Sequence, residues 1–147
     1  MAEAKGSGGL AARIKKARAT ATRLGAKSNE LNEELTKAEE AIAALRLGVS
    51  AQVMMHADDE SGDETYLCFE RFEGKWSLTI LEGRPDVEMW STNPLMKVSR
   101  SLRMEAARNL PALVDKLMER TETEIVEVDE TTAKVAAFVK ELREAQS

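Results

Sequence analysis

The chain has 147 residues, 43% hydrophobic and 32% charged, with 4% aromatics, three prolines and one cysteine. That composition argues against a disordered polymer, and the lone Cys68 excludes an internal disulfide and with it a secreted, stapled scaffold. No apolar run approaches the ~18 residues of a membrane span, and residues 10–27 interleave Arg and Lys with Ala, so neither a membrane segment nor a secretory signal is predicted and the default is a cytoplasmic protein.

The formal charge of −5 is unevenly spread. Residues 1–28 carry Lys5, Arg13, Lys15, Lys16, Arg18, Arg23 and Lys27 against the single acid Glu3. Residues 29–47 carry Glu30, Glu33, Glu34, Glu39 and Glu40 against Lys37 and Arg46. A basic arm on an acidic body bears on partners rather than on fold.

Residues 1–9, rich in Gly and Ser, read as a disordered tail. A heptad follows without a slip: Leu10, Ile14, Ala17, Ala21, Leu24, Ser28, Leu31, Leu35, Ala38, Ile42 and Leu45 are spaced 4-3-4-3. This predicts a coiled-coil-like helix over residues 10–47, with a seam of roughly 55 Å that calls for a partner helix. Gly48 is read as its C-terminal glycine. Gly25 and Ser28 weaken the centre and could instead end one helix and cap the next, but the unbroken phase favours one continuous helix.

From residue 48 onward the chain reads as a small α+β domain, forming one cooperative unit with the first helix. Val49, Ala51, Val53 and Met55 alternate with more polar residues and predict a strand, followed by an acidic loop with Asp58, Asp59, Glu60, Asp63 and Glu64. Tyr66–Phe72 and Lys75–Leu81 predict a hairpin around Glu73-Gly74. A two-residue turn there sets Phe69 opposite Leu78, Leu67 opposite Ile80 and Arg71 opposite Trp76, leaving Cys68, Glu70, Ser77 and Thr79 on the other face. One-sided apolarity of this kind predicts an antiparallel sheet of three or four strands with helices on one face. Val87–Ser91 is a candidate fourth, edge strand, ended by Asn93-Pro94.

Helical spacing returns at Ser99 or Ser101, either of which could cap, and Pro111 is expected to break or kink the helix near Arg108–Asn109. Val114, Leu117, Thr121, Glu124, Val128, Thr131, Val135, Phe138, Leu142 and Ala145 fit a 4-3 pattern with polar intrusions. Glu122–Glu130, with β-branched Ile125, Val126 and Val128, reads equally as helix or strand, and Thr132–Ala145 as helix. Strands between two long helices are similar in arrangement to prefoldin-like chaperone subunits, a likeness of element order alone.

Candidate chemistry is sparse. His56 has no nucleophile motif beside it, Cys68 has no second cysteine, and the acidic loop lacks the spacing of an EF-hand. None of the phosphate-loop, dinucleotide, zinc-protease or serine-hydrolase signatures occurs. The sequence therefore predicts no enzyme, no cofactor and no metal. It predicts an oligomerising protein–protein interaction module, whether adaptor, chaperone-like or regulatory subunit.

The predicted association seam is Leu10, Ile14, Ala17, Ala21, Leu24, Leu31, Leu35, Ala38, Ile42 and Leu45. Its expected partner is a helical protein or a second copy running antiparallel, with Ser28 opposite Leu31 of that copy. This register also sets Lys27 against Glu34 and Arg18 against Glu39. The alternative partner is nucleic acid on the face offered by Arg13, Lys15, Lys16, Arg18, Arg23 and Lys27. That stretch lacks interleaved aromatics for base stacking.

Overall fold

A computed structural model describes the backbone of residues 2–147 and the side chains from residue 8 onward. The chain divides into two compact units, Met1–Glu40 and Ala41–Ser147.

The first unit is helix α1, Ala2–Ala44, whose last turn enters the second unit. The helix runs through Gly25 and Ser28 without a break. One helical glycine costs about 1 kcal/mol against alanine, which the surrounding Ala, Leu, Arg and Lys can carry. Two expectations are corrected. The helix includes Ala2–Gly9, where a tail was expected, because Ala2, Ala4 and Lys5 are good helix formers continuous with Leu10; Met1 lies outside the described residues. At the other end α1 stops at Ala44 rather than Leu47. Arg46 already takes a left-handed φ of 52°, and Gly48 follows at 71°.

The second unit is an α+β body. Strands β1 (Ala51–Ala57), β2 (Glu64–Phe72), β3 (Lys75–Arg84) and β4 (Met89–Pro94) form one antiparallel sheet in the order β1-β2-β3-β4. The register of the central hairpin is the one expected: Phe69 pairs with Leu78, Leu67 with Ile80 and Arg71 with Trp76. Glu73 and Gly74 have φ of 53° and 81°, the two left-handed residues of a tight hairpin turn that matches the twist of its strands. Leu67, Phe69, Leu78 and Ile80 are buried on one face, and Phe69 stacks on Trp76 with centroids 5.6 Å apart. The other face is less polar in its surroundings than its residues suggest, for Cys68 and Thr79 are buried at its centre.

β1 begins two residues later than Val49 and carries a bulge between Met54 and His56, so His56 faces Thr65 and Ala57 ends the strand. β4 is also displaced: Pro85–Val87 form a short 3-10 helix, Glu88 turns at φ 52°, and pairing starts at Met89. Gly83 pairs with Trp90, and a Cβ there would fall 2.3 Å from the Met89 carbonyl and 2.5 Å from the Trp90 ring. Glycine is what lets the indole lie against β3, tilted toward Tyr66 at 6.1 Å.

Helix α2, Arg100–Gln146, is the largest departure from expectation. Ser99 caps it, accepting from the Leu102 N–H at 3.2 Å. Pro111 sits inside it, so of the break or kink expected there the break does not occur. The pyrrolidine is on the exposed side, and Ala106, Leu113 and Leu117 are buried on both sides of it. Burying two leucines contributes about 3–6 kcal/mol, enough to offset the ~3 kcal/mol of an interior proline. Glu122–Glu130 is helix, not strand, as the continuation of this packed half.

Glu73 is a non-glycine residue in a left-handed conformation, which costs roughly 1–2 kcal/mol for a side chain without local hydrogen bonding. Glu73→Asn is therefore expected to stabilise the body by about 0.5–1 kcal/mol, asparagine being the preferred partner of glycine in this turn. Thermal unfolding should show a midpoint raised by about 2–4 °C. A lowered midpoint would contradict the turn conformation.

Candidate interaction surface

α2 has two halves with opposite surroundings. Its first half is held to the sheet by the buried residues above and by the Glu105 carboxylate, 2.6 Å from Nδ1 of His56 on β1. From Glu122 onward every residue is exposed. Yet this half is not polar all round: Ile125 and Phe138 are each 62% exposed, and Val128, Val135, Val139 and Leu142 are exposed with them.

At 100° per residue, Thr121, Ile125, Val128, Thr132, Val135, Val139 and Leu142 fall on one stripe with 4-3 spacing. Phe138 widens its border to an apolar arc of about 140°. The two threonines do not spoil it. The Thr121 hydroxyl donates to the Leu117 carbonyl at 2.7 Å and the Thr132 hydroxyl to the Val128 carbonyl at 2.8 Å. Both polar atoms are satisfied within the helix and the methyls are left outward-facing. Two shallow depressions lie along the stripe. One includes Thr121, Glu124, Ile125 and Val128 and is walled on one side by Leu47, the other Val128, Thr131, Thr132 and Val135. Each set has the i, i+3, i+4, i+7 spacing of the four residues that receive a knob in a coiled coil.

Sequence reading found the same segment but placed its seam through Glu124 and Thr131, which made it look interrupted. The missed signal is a shift of one position, to Ile125 and Thr132, which replaces the carboxylate with isoleucine.

On α1 the predicted seam residues share one helical face. Leu10, Ile14, Ala17, Ala21 and Leu24 are exposed; Leu31 and Ala38 are half-buried and Leu35 is buried; Ile42 is buried in the second unit and Leu45, just past the helix end, is exposed. The six bases do not form a single face. Arg13, Lys16, Arg23 and Lys27 lie within an arc of about 80°, whereas Lys15 and Arg18 point elsewhere. Lys27 is bridged to Glu30 at 3.3 Å.

The remaining candidates are structural. The Asp58 carboxylate accepts from the Glu60 and Ser61 N–H groups at 2.9 and 3.3 Å, which holds it below the usual carboxylate range and folds the acidic loop into a turn. Burial pushes the Cys68 thiol up to about 12, so it stays protonated and unreactive. The Tyr66 hydroxyl donates to Glu64 at 2.5 Å, which raises its phenol. Among the described residues no three His, Cys, Asp or Glu side chains are grouped to hold a metal ion, and no helix is long and apolar enough to cross a membrane.

No protein-family model, curated protein or solved structure matches this chain.

Proposed function

We propose that this protein is a non-enzymatic, oligomerising protein–protein interaction module that works in the cytoplasm through its two long helices. The observation that carries the reading is the apolar stripe on the distal half of α2. A lone, fully exposed helix gains nothing from Val, Ile, Phe and Leu on one side, and most helical stability in proteins comes from packing such a face. The α1 seam supports the same reading in part: Leu10, Ile14, Ala17, Ala21 and Leu24 form an exposed 4-3 face, whereas Leu35 and Ile42, which an antiparallel copy with Ser28 opposite Leu31 would use, are already buried in the single chain. The single cysteine supports a compartment in which disulfides are not used.

Light scattering at tens of micromolar tests it. The expected mass is at least twice the 16.2 kDa of one chain. A mass of one chain throughout that range overturns the homo-oligomeric reading.

A second reading, nucleic-acid binding, is favoured by the cluster Arg13, Lys16, Arg23 and Lys27. Contact with phosphates would make affinity fall steeply with salt, with a slope of about −0.7 to −0.9 per phosphate neutralised. The acidic body opposes such an approach, and acids of a partner helix can answer these bases equally well. A gel shift near neutral pH and physiological salt is expected to show no complex. A micromolar complex lost on reversing the six charges would promote this second reading over the first.

A further inference from the structure

We propose that residues 121–146 of α2 dock on the same segment of a second copy, antiparallel, with Val128 opposite Val139 of that copy. The inference rests on the oligomeric reading above and specifies its site and register.

The stripe is self-complementary in this register. Ile125 meets Leu142, Val128 meets Val139, Thr132 meets Val135 and Thr121 meets Gln146, so the apolar members all find partners on the stripe. The two depressions fit as well: Val135 of the second copy centres on the one bounded by Val128 and Val135, and Leu142 on the one bounded by Thr121 and Val128. Thr132 enters the seam without an orphaned hydroxyl, because its donor is already used.

Charge decides the direction. The first half of the segment holds Glu122, Glu124, Glu127, Asp129 and Glu130 with no base; the second holds Lys134, Lys140 and Arg143 against Glu141 and Glu144. Antiparallel pairing lays the acidic half beside the weakly basic one and sets Glu122 beside Arg143 at both ends. The other flanking positions then pair Asp129 with Ala136, Glu124 with Ala145 and Thr131 with Phe138. Parallel pairing would lay acid on acid and bring Glu124 beside Asp129 of the second copy twice.

A second copy is therefore the occupant its own charges select. The contact is small. A 26-residue helix is about 39 Å long, and a strip of about 10 Å gives roughly 400 Å² per chain, half of a standard interface. Association through this segment alone should be reversible in the micromolar range, so covalent trapping is the suitable readout.

The experiment uses the full chain with paired cysteines. Val128→Cys with Val139→Cys in the same chain should give a covalent dimer under mild oxidation, while Val128→Cys alone should not. The two positions lie about 16 Å apart within one helix, too far for an internal bridge, and the buried Cys68 does not compete. Arg143→Glu should weaken the dimer about tenfold, and adding Glu122→Arg should restore it, since the swapped pair is again complementary. Both positions are exposed, so far-ultraviolet circular dichroism should not change. Efficient crosslinking of Val128→Cys alone, or a double variant that stays uncrosslinked at concentrations where light scattering reads a dimer, overturns the proposal while leaving the oligomeric reading intact. A monomeric mass overturns both.

Discussion

Leu67→Ala is expected to cost about 2–5 kcal/mol, the range for removing a leucine side chain from a packed core. Leu67 has no exposed surface and sits at the centre of the sheet, opposite Val53 on β1 and Ile80 on β3. Truncation removes apolar contacts from two strand pairs at once, and the strands on either side hold the backbone in place, so the void closes poorly. An ordinary domain has about 5–15 kcal/mol of stability in total, so the variant should be folded but close to its threshold. Urea unfolding followed by tryptophan emission measures it, since Trp76 stacks on Phe69 beside the altered residue. A loss under about 1 kcal/mol would place Leu67 outside the core. The same replacement at exposed Leu10 should have little effect on the body.

The hairpin was legible because several local signals agree there. Alternation, β-branched and aromatic residues and a Glu-Gly turn all specify one register, and a slip by one residue would turn Leu67, Phe69, Leu78 and Ile80 to the wrong face. Continuity of α1 through Gly25 was legible for a related reason: one weak residue does not outweigh an unbroken phase. Pro111 misled because its local cost is certain while the compensating burial of Ala106, Leu113 and Leu117 is tertiary, and neighbouring sequence does not display it. The β4 boundary failed on turn chemistry. Pro85 and Asp86 open a 3-10 turn that consumes Val87 before pairing can begin. Burial of Cys68 and Thr79 was hidden because a small polar residue at the middle of a sheet looks the same in sequence as one at its surface. The interaction surface was half visible. Its 4-3 period could be read, but choosing between two adjacent phases required knowing that residues 122–146 are helical throughout and exposed.

Val128→Asp with Val135→Asp should abolish association through α2 and leave the body folded. In the proposed pair each valine is buried on both copies, so four side chains lose their apolar contacts in one dimer, at about 1.5–3 kcal/mol each. Four carboxylates would also be placed in the seam, beside a segment that is already acidic, and burying an unpaired charge costs more than the lost contact. Association should weaken by at least a thousandfold, beyond recovery at attainable concentration. In the single chain the same residues are 56% and 54% exposed, and aspartate is close to valine in helix propensity, so folding bears almost none of this cost. Light scattering should read 16.2 kDa, since the α1 seam, with Leu35 and Ile42 already buried, does not hold two copies together by itself; tryptophan emission and thermal midpoint should be unchanged. Val128→Ala with Val135→Ala should give an intermediate loss, since it removes area without adding charge. If the aspartate variant keeps the native mass, association runs through the α1 seam and the α2 stripe is not the interface. If its tryptophan emission shifts as on unfolding, the distal half of α2 belongs to the folded core, contrary to its exposure.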